Sequence, residues 1–242
     1  MIRNTKNNST NQTSGGTNNV QKISNTQKRK PKGPINYNIE LTKEQRDAKK
    51  IMEDNTITLL KGAAGSGKSI LACLVALDMY NRREIEKIII CRPAISREDI
   101  GFLPGGADEK LQPYMQPIHN NFYKLESKDK IDKMIKDGTI LMIPFSFLRG
   151  YTLNDCAIIV DESQNLVHTQ TELIIGRLGL GSKMFLTGDS QQIDLKNRKD
   201  SGLSFLSTLD GRVNGFKVIS LKENYRHPIV KEILDIYKEV ND

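Results

Sequence analysis

The sequence predicts an α/β fold in which a parallel β-sheet is sandwiched between helices. Six short apolar runs are spaced along the chain, at residues 57–60, 88–91, 140–143, 157–160, 184–187 and 216–219. These runs are continuous rather than alternating, as expected for strands that are buried on both faces of a parallel sheet. Helical patterns separate them, and alternation of strand and helix is typical of a doubly wound sandwich.

The helices are predicted from the spacing of apolar residues between the strands. The first covers residues 41–54, where Thr42 is expected to be the N-cap and Gln45, three residues later, its partner in a capping box. Further helical patterns cover residues 69–80, 109–125, 169–178 and 229–240.

The composition argues against several classes of protein. The chain has 242 residues, of which 37% are hydrophobic and 27% charged. No apolar run approaches the roughly 18 residues that a membrane span needs, and the polar N-terminus is unlike a secretory signal. The three cysteines are odd in number and far apart, which disfavours a disulfide framework or a zinc site and favours a cytoplasmic location.

The positive charge is concentrated at the N-terminus. The formal net charge is +7, and residues 1–34 contain seven basic side chains and no acidic one, so the rest of the chain is balanced. Residues 1–36 are poor in apolar side chains and are expected to be disordered, with the folded domain at 37–242. Two interpretations of this tail remain open: a solvated leader, or an arm that neutralises the phosphates of single-stranded RNA or DNA.

The most specific motif is a glycine-rich turn between the first strand and the next helix. Its residues are Gly62, Ala63, Ala64, Gly65, Ser66, Gly67, Lys68 and Ser69. They match every fixed position of the phosphate loop, or Walker A motif, in which backbone N–H groups and a helix N-terminus face the phosphates of a nucleotide. The motif predicts that Lys68 reaches the β and γ phosphates and that the Ser69 hydroxyl ligates Mg²⁺.

Acidic residues after the fourth strand predict a hydrolytic reaction. Asp161 and Glu162 follow four apolar residues, at the sheet edge where such folds bind ligands. Asp161, at the Walker B position, is expected to hold Mg²⁺ through water, and Glu162 to orient and polarise the attacking water. Three further candidates follow the later strands. Gln192 would sense the γ phosphate, and Arg226 would supply positive charge to it. Tyr225 would offer a ring to an adenine.

Together these motifs resemble the PhoH-like ATPases, the phosphate-starvation-inducible family, over nearly all of residues 40–240. Further matching segments lie at 92–94, 101–105, 148–150, 161–165 and 226–228. The resemblance implies a RecA-like P-loop NTPase fold that binds ATP with Mg²⁺ and hydrolyses it to ADP. Ser163 stands where the family usually has Ala, a small replacement that is not expected to disturb the metal or the water.

The same motifs are similar to the first motor domain of superfamily-one helicases. There a Gln before the phosphate loop reads adenine, so Gln45 is a candidate for that role, which is compatible with a capping box. Arg92, Arg149 and Arg177 match family positions. One of them could contact the phosphates held by a facing subunit, but for Arg92 and Arg177 an ordinary surface ion pair is the favoured interpretation.

The favoured function is therefore an Mg²⁺-dependent ATPase that is coupled to binding or remodelling of RNA or DNA. Since the chain ends soon after Arg226, a second motor domain is not expected, and unwinding would need a homo-oligomer to supply the facing surface. The alternative is a nucleotide-dependent switch or binding module with negligible turnover, against which the pairing of Glu162 with Asp161 argues.

Overall fold

The computed structural model describes residues 37, 39–93, 107–225, 228–230, 232, 233 and 236. Several expectations therefore lie outside the described residues. These are the disorder of the tail at 1–36, the matching segment at 101–105, the positions of Arg226 and His227, and most of the helix at 229–240.

All six predicted strands are present and form one parallel sheet. They are β1 (Ile57–Gly62), β2 (Lys87–Cys91), β3 (Ile140–Met142), β4 (Cys156–Val160), β5 (Lys183–Gly188) and β6 (Phe216–Leu221). Their order across the sheet is β3-β2-β4-β5-β1-β6, with parallel pairing throughout. Only β5 separates β1, which leads into the phosphate loop, from β4, which leads into the acidic pair. At about 4.8 Å per strand, the two loops begin about 10 Å apart.

Helices cover both faces of this sheet. They are α1 (Lys43–Asp54), α2 (Lys68–Asn81), α3 (Ala107–Leu125), α4 (Lys128–Lys136), α5 (His168–Ile175) and α6 (Leu203–Ser207). The pattern at 169–178 predicted a longer helix than α5, which ends at Ile175 because Gly176 follows as its C-cap. Within the described part of the chain, no helix has both the length and the apolar content needed to cross a membrane.

The core is divided into two layers by the sheet, which explains the continuous apolar runs. Every residue of β4 is buried. Ala157 and Ile159 pack with α1–α4 on one face, while Ile158 and Val160 pack with α5 and α6 on the other. Burial on both faces fixes β4 at the centre of the fold and places the acidic pair that follows it at the edge of a rigid sheet.

Candidate active site

The phosphate loop runs from β1 to the N-terminus of α2, and its glycines are required by the backbone path. Gly65 and Gly67 have φ values of 90° and 83°, which glycine adopts without steric cost. A Cβ on Gly62 would lie 2.6 Å from the Leu221 carbonyl oxygen and 2.6 Å from the buried hydroxyl of Ser66. The loop can therefore pass this close to β6 only with glycine at its first position.

Lys68, the first residue of α2, folds back onto this loop. Its Nζ donates hydrogen bonds to the carbonyl oxygens of Gly62, at 2.7 Å, and Ala63, at 3.0 Å. The ammonium group is thus held against the segment whose motif is typical of phosphate binding.

Two hydroxyl groups meet the carboxylate of Asp161. Ser69 Oγ donates to Asp161 Oδ1 at 2.6 Å, and Thr187 Oγ1 donates to the same oxygen at 2.7 Å. Asp161 is only 4% exposed. Sequence reasoning missed Thr187, although its position at the end of an apolar strand, before Gly188 and Asp189, was a usable signal.

Ser69 and Asp161 are suited to hold Mg²⁺. Hydroxyl and carboxylate oxygens are the ligands this ion prefers, and it usually binds through one or two carboxylates together with waters and substrate phosphates. Within the described ranges, no group of three His, Cys, Asp or Glu side chains forms a self-contained metal site. The pair of oxygens fits the part of a Mg²⁺ site that protein side chains usually supply.

Glu162 lies in the sharp turn after β4 and has left-handed backbone angles, φ 55° and ψ 40°, which are uncommon for a residue other than glycine. Its side chain is 37% exposed, and both carboxylate oxygens have a donor. Arg92 Nη2 lies 3.5 Å from Oε1, and Gln164 Nε2 donates to Oε2 at 2.6 Å. The carboxylate therefore has a short hydrogen bond at one oxygen and a longer ion-pair contact at the other.

Arg92 bridges the two acids of the site. Besides its contact with Glu162, its Nε lies 3.8 Å from Asp161 Oδ2. This ion pair lies within the site of its own chain rather than on the outer surface, a placement that sequence reasoning did not foresee.

The loop after β5 connects this acidic turn to the phosphate loop. Asp189 Oδ2 accepts the Ala64 N–H at 3.0 Å, and the Asp189 N–H donates to Gln164 Oε1 at 3.1 Å. Gln192, the predicted γ-phosphate sensor, is exposed, and its carbonyl oxygen accepts a hydrogen bond from Gln164 at 3.1 Å. Sequence reasoning assigned no role to Asp189 or Gln164.

The two predicted adenine contacts, Gln45 and Tyr225, converge on Gly67. A Cβ on Gly67 would lie 2.8 Å from Gln45 Nε2 and 3.7 Å from a ring carbon of Tyr225. The capping box is confirmed, because Gln45 Oε1 accepts the Thr42 N–H at 3.2 Å while its own N–H donates to the Thr42 hydroxyl. The N–H of Tyr225 donates to the Gly65 carbonyl at 3.0 Å, so this segment is attached directly to the phosphate loop.

Arg149 and Arg177 do not join this cluster in the same chain. Arg149 is exposed. Arg177 donates to the carbonyl oxygens of Tyr151, at 3.1 Å, and Leu173, at 3.3 Å, and its own carbonyl accepts the Leu153 N–H, just before β4 begins. Arg177 therefore lies near the amino-terminal end of β4, whereas Asp161 lies at its carboxyl-terminal end.

Thiol chemistry at the site is disfavoured. Cys91, at the end of β2, is completely buried, and burial raises its pKa to about 12. Burial also raises the pKa of Cys73 on α2, to which the charge of Asp161 adds. Both thiols stay neutral near pH 7 and are poor nucleophiles.

Comparison with known proteins identifies the family. Residues 39–238 match the family model described as PhoH-like protein. The chain belongs to the PhoH-like family. PhoH-like proteins from Bacillus subtilis and Synechocystis sp. are each 36% identical to it, over 81% and 80% of this chain. The matches cover 63% and 60% of those relatives, so the chain spans about three fifths of their length.

A solved structure supports the fold. The large terminase of a thermophilic bacteriophage matches 81% of this PhoH-like chain and 50% of its own chain, with a TM-score of 0.52 and 12% identity. Likeness at this identity shows the fold alone. The predicted RecA-like P-loop fold is confirmed, and family and fold together place the chain among nucleotide-binding P-loop proteins.

Ser163, where the resemblance led us to expect Ala, has a structural role. Ser163 is completely buried, and its hydroxyl donates to the Thr187 carbonyl oxygen at 2.8 Å. It thus fastens the turn after β4 to the end of β5 through the backbone, without using the carboxylate of Asp161 or Glu162.

Proposed function

We propose that this PhoH-like protein binds ATP with Mg²⁺ and hydrolyses it to ADP and phosphate. The observation that carries the proposal is the orientation of Glu162. Its carboxylate is held at both oxygens, beside the Ser69–Asp161 pair and one strand away from the phosphate loop. A binding module needs the loop and the metal ligands but has no use for a second, oriented carboxylate.

Each residue of the site has a separate proposed role in hydrolysis. The N–H groups of the phosphate loop and Lys68 bind the phosphates, and Ser69 and Asp161 hold Mg²⁺, which when bound neutralises charge on the β and γ phosphates. Glu162 orients a water molecule in line with the γ phosphate and accepts its proton at a carboxylate oxygen.

The remaining predicted residues complete this proposal. Gln192 would respond to the γ phosphate from the loop after β5, and Arg226 would add positive charge as the phosphoryl group is transferred. Gln45 and Tyr225 would contact the adenine, which their convergence on Gly67 supports. Arg149 and Arg177 are left as candidates for contacts with a facing subunit.

We further propose that turnover is coupled to single-stranded RNA or DNA in a homo-oligomer. The seven basic residues within 1–34, with no acidic one among them, support phosphate contacts by the tail.

The three cysteines are free and buried, which suits a reducing compartment, so we place the protein in the cytoplasm.

Phosphate release from ATP by the full chain tests this proposal. Turnover is expected with Mg²⁺, to be lost when the ion is chelated, and to rise when single-stranded RNA or DNA is added. Tight binding of ATP without release of phosphate under any of these conditions would instead favour the nucleotide-dependent switch.

A further inference from the structure

Gln164 is a buried amide that contacts three parts of the site. It is 1% exposed. Its Nε2 donates to Glu162 Oε2 at 2.6 Å and to the Gln192 carbonyl oxygen at 3.1 Å, while its Oε1 accepts the Asp189 N–H at 3.1 Å. Both donor hydrogens and the acceptor of the amide are therefore used.

We propose that Gln164 is a positioning residue that orients the Glu162 carboxylate for proton transfer; this inference rests on the proposed ATPase activity. Gln164 holds Oε2 and Arg92 holds Oε1. Because the two donors approach different oxygens, rotation of the carboxylate about its terminal bond would break both contacts. Removing one donor frees this rotation.

The orientation of the amide is itself determined by its surroundings. The backbone N–H of Asp189 can only donate, so it must face Oε1, and the carbonyl oxygen of Gln192 can only accept, so it must face Nε2. These two backbone groups leave the second N–H of Nε2 directed at Glu162. Asp189 also accepts the Ala64 N–H, which ties this arrangement to the phosphate loop.

The neutrality of this donor matters for the chemistry. Gln164 donates to Glu162 without adding a charge to a site that already holds two carboxylates and the guanidinium of Arg92. A carboxylate in place of the amide would repel Glu162. A glutamine therefore provides orientation at the smallest electrostatic cost.

The variant Gln164→Glu tests this role. It keeps an oxygen for the Asp189 N–H but replaces the donor facing Glu162 with a second carboxylate oxygen. The two carboxylates repel each other, so Glu162 loses its orientation and kcat is expected to fall at least tenfold. Affinity for MgATP is expected to stay within about threefold of wild type, because Gln164 contacts Glu162 rather than the phosphate loop.

Two further variants separate positioning from folding. Gln164→Met fills similar volume but cannot donate a hydrogen bond, so its kcat is expected to fall at least tenfold while its affinity for MgATP stays within about threefold of wild type. Gln170→Glu on α5 makes the same chemical change as Gln164→Glu where the side-chain oxygen accepts the Val167 N–H, and its kcat and affinity should match wild type. If Gln164→Glu does not fold, the comparison of kcat with affinity in Gln164→Met decides the question.

The outcomes distinguish this inference from the proposed function. If the wild type releases phosphate and Gln164→Met does so at a normal rate, the positioning role alone is overturned. If MgATP affinity and kcat fall by the same factor in Gln164→Met, the role of Gln164 is structural rather than positioning. A wild-type protein that releases no phosphate, with or without single-stranded RNA or DNA, overturns the ATPase proposal and this inference with it.

Discussion

The phosphate loop and the acidic turn lie at the same edge of the sheet, one strand apart, yet they are held in different ways. The path of the loop is set mainly by its own residues: its glycines permit the backbone path, and Lys68 bonds to carbonyl oxygens of the loop itself. Asp189 and Tyr225 add one hydrogen bond each from outside the loop. The acidic turn depends on side chains that arrive from other strands, with Arg92 following β2 and Thr187 ending β5.

This difference separates binding from reaction rate. Damage to the loop removes the groups that would hold the phosphates, so binding and turnover should fall together. Damage to the contacts around Asp161 and Glu162 should slow the reaction while much of the binding remains, because those contacts orient carboxylates rather than form the phosphate site. Substitutions in the two regions are therefore expected to give different ratios of lost affinity to lost rate.

The largest effect is expected from Lys68→Ala in the loop. Removing the ammonium that meets the β and γ phosphates should abolish nearly all turnover and most ATP affinity. Isothermal titration with ATP and a phosphate-release assay measure the two losses. Lys199→Ala, at an exposed lysine, serves as the control and should match wild type. A Lys68→Ala protein with near-normal hydrolysis would mean that the loop is not the phosphate site.

A smaller and more selective effect is expected from Thr187→Val. The substitution keeps the shape of the side chain but removes the donor to the buried Asp161 Oδ1. Hydrogen bonds to charged groups contribute about 1.5–3 kcal/mol, so turnover should fall at least tenfold, with ATP affinity measured without Mg²⁺ unchanged. Thr208→Val, whose hydroxyl donates to the Phe205 carbonyl oxygen, is the matched control. If the affinity for ATP measured without Mg²⁺ fell as much as turnover, the acidic turn and the phosphate loop would not differ in their effects on binding and rate.

Deleting residues 1–36 tests whether the phosphate loop and the acidic turn support ATP turnover without the tail. Basal ATP turnover is expected to stay within about twofold of the full chain. Affinity for single-stranded RNA or DNA should fall, and the slope of log affinity against log salt should flatten, since each neutralised phosphate contributes about 0.7 to it. Unchanged affinity and slope would make the tail a solvated leader, and loss of basal turnover would show that the site needs it.

The smallest effect is expected from Ser163→Ala, which changes how the turn is fastened but neither carboxylate. Loss of its hydrogen bond to the Thr187 carbonyl oxygen should lower the free energy of unfolding by about 1 kcal/mol. Turnover should remain within about twofold, as expected if Ala is usual at this position in the family. Denaturant unfolding and phosphate release measure the two quantities, and a tenfold loss of rate would mean that the hydroxyl also acts on the carboxylates.

Features that depend on local sequence were predictable. The six strands followed from continuous apolar runs, the phosphate loop from its glycines and Lys68, and the capping box from the spacing of Thr42 and Gln45. Helix α4 was missed because it is mostly charged and buries only Ile131 and Met134. Helix α6 was missed because it has only five residues.

Contacts that depend on strand order were not predictable. Arg92 meets Asp161 because β2 pairs with β4, and Thr187 meets the same carboxylate because β5 pairs with β4 on its other side. The order β3-β2-β4-β5-β1-β6 does not follow from the sequence of elements along the chain. The placement of Gln164 has the same origin, since its partners Asp189 and Gln192 follow β5.

The measurement that tests the account most directly is the comparison of ATP affinity and turnover in Glu162→Gln. The amide keeps the size of the side chain but cannot accept the proton of the attacking water. ATP affinity is expected to stay within about twofold of wild type and turnover to fall about a hundredfold or more, within the range for a lost general base. Glu172→Gln on α5, at an exposed glutamate, should leave both unchanged. Near-normal turnover in Glu162→Gln, or a loss of affinity equal to the loss of rate, would contradict the role of Glu162 in hydrolysis.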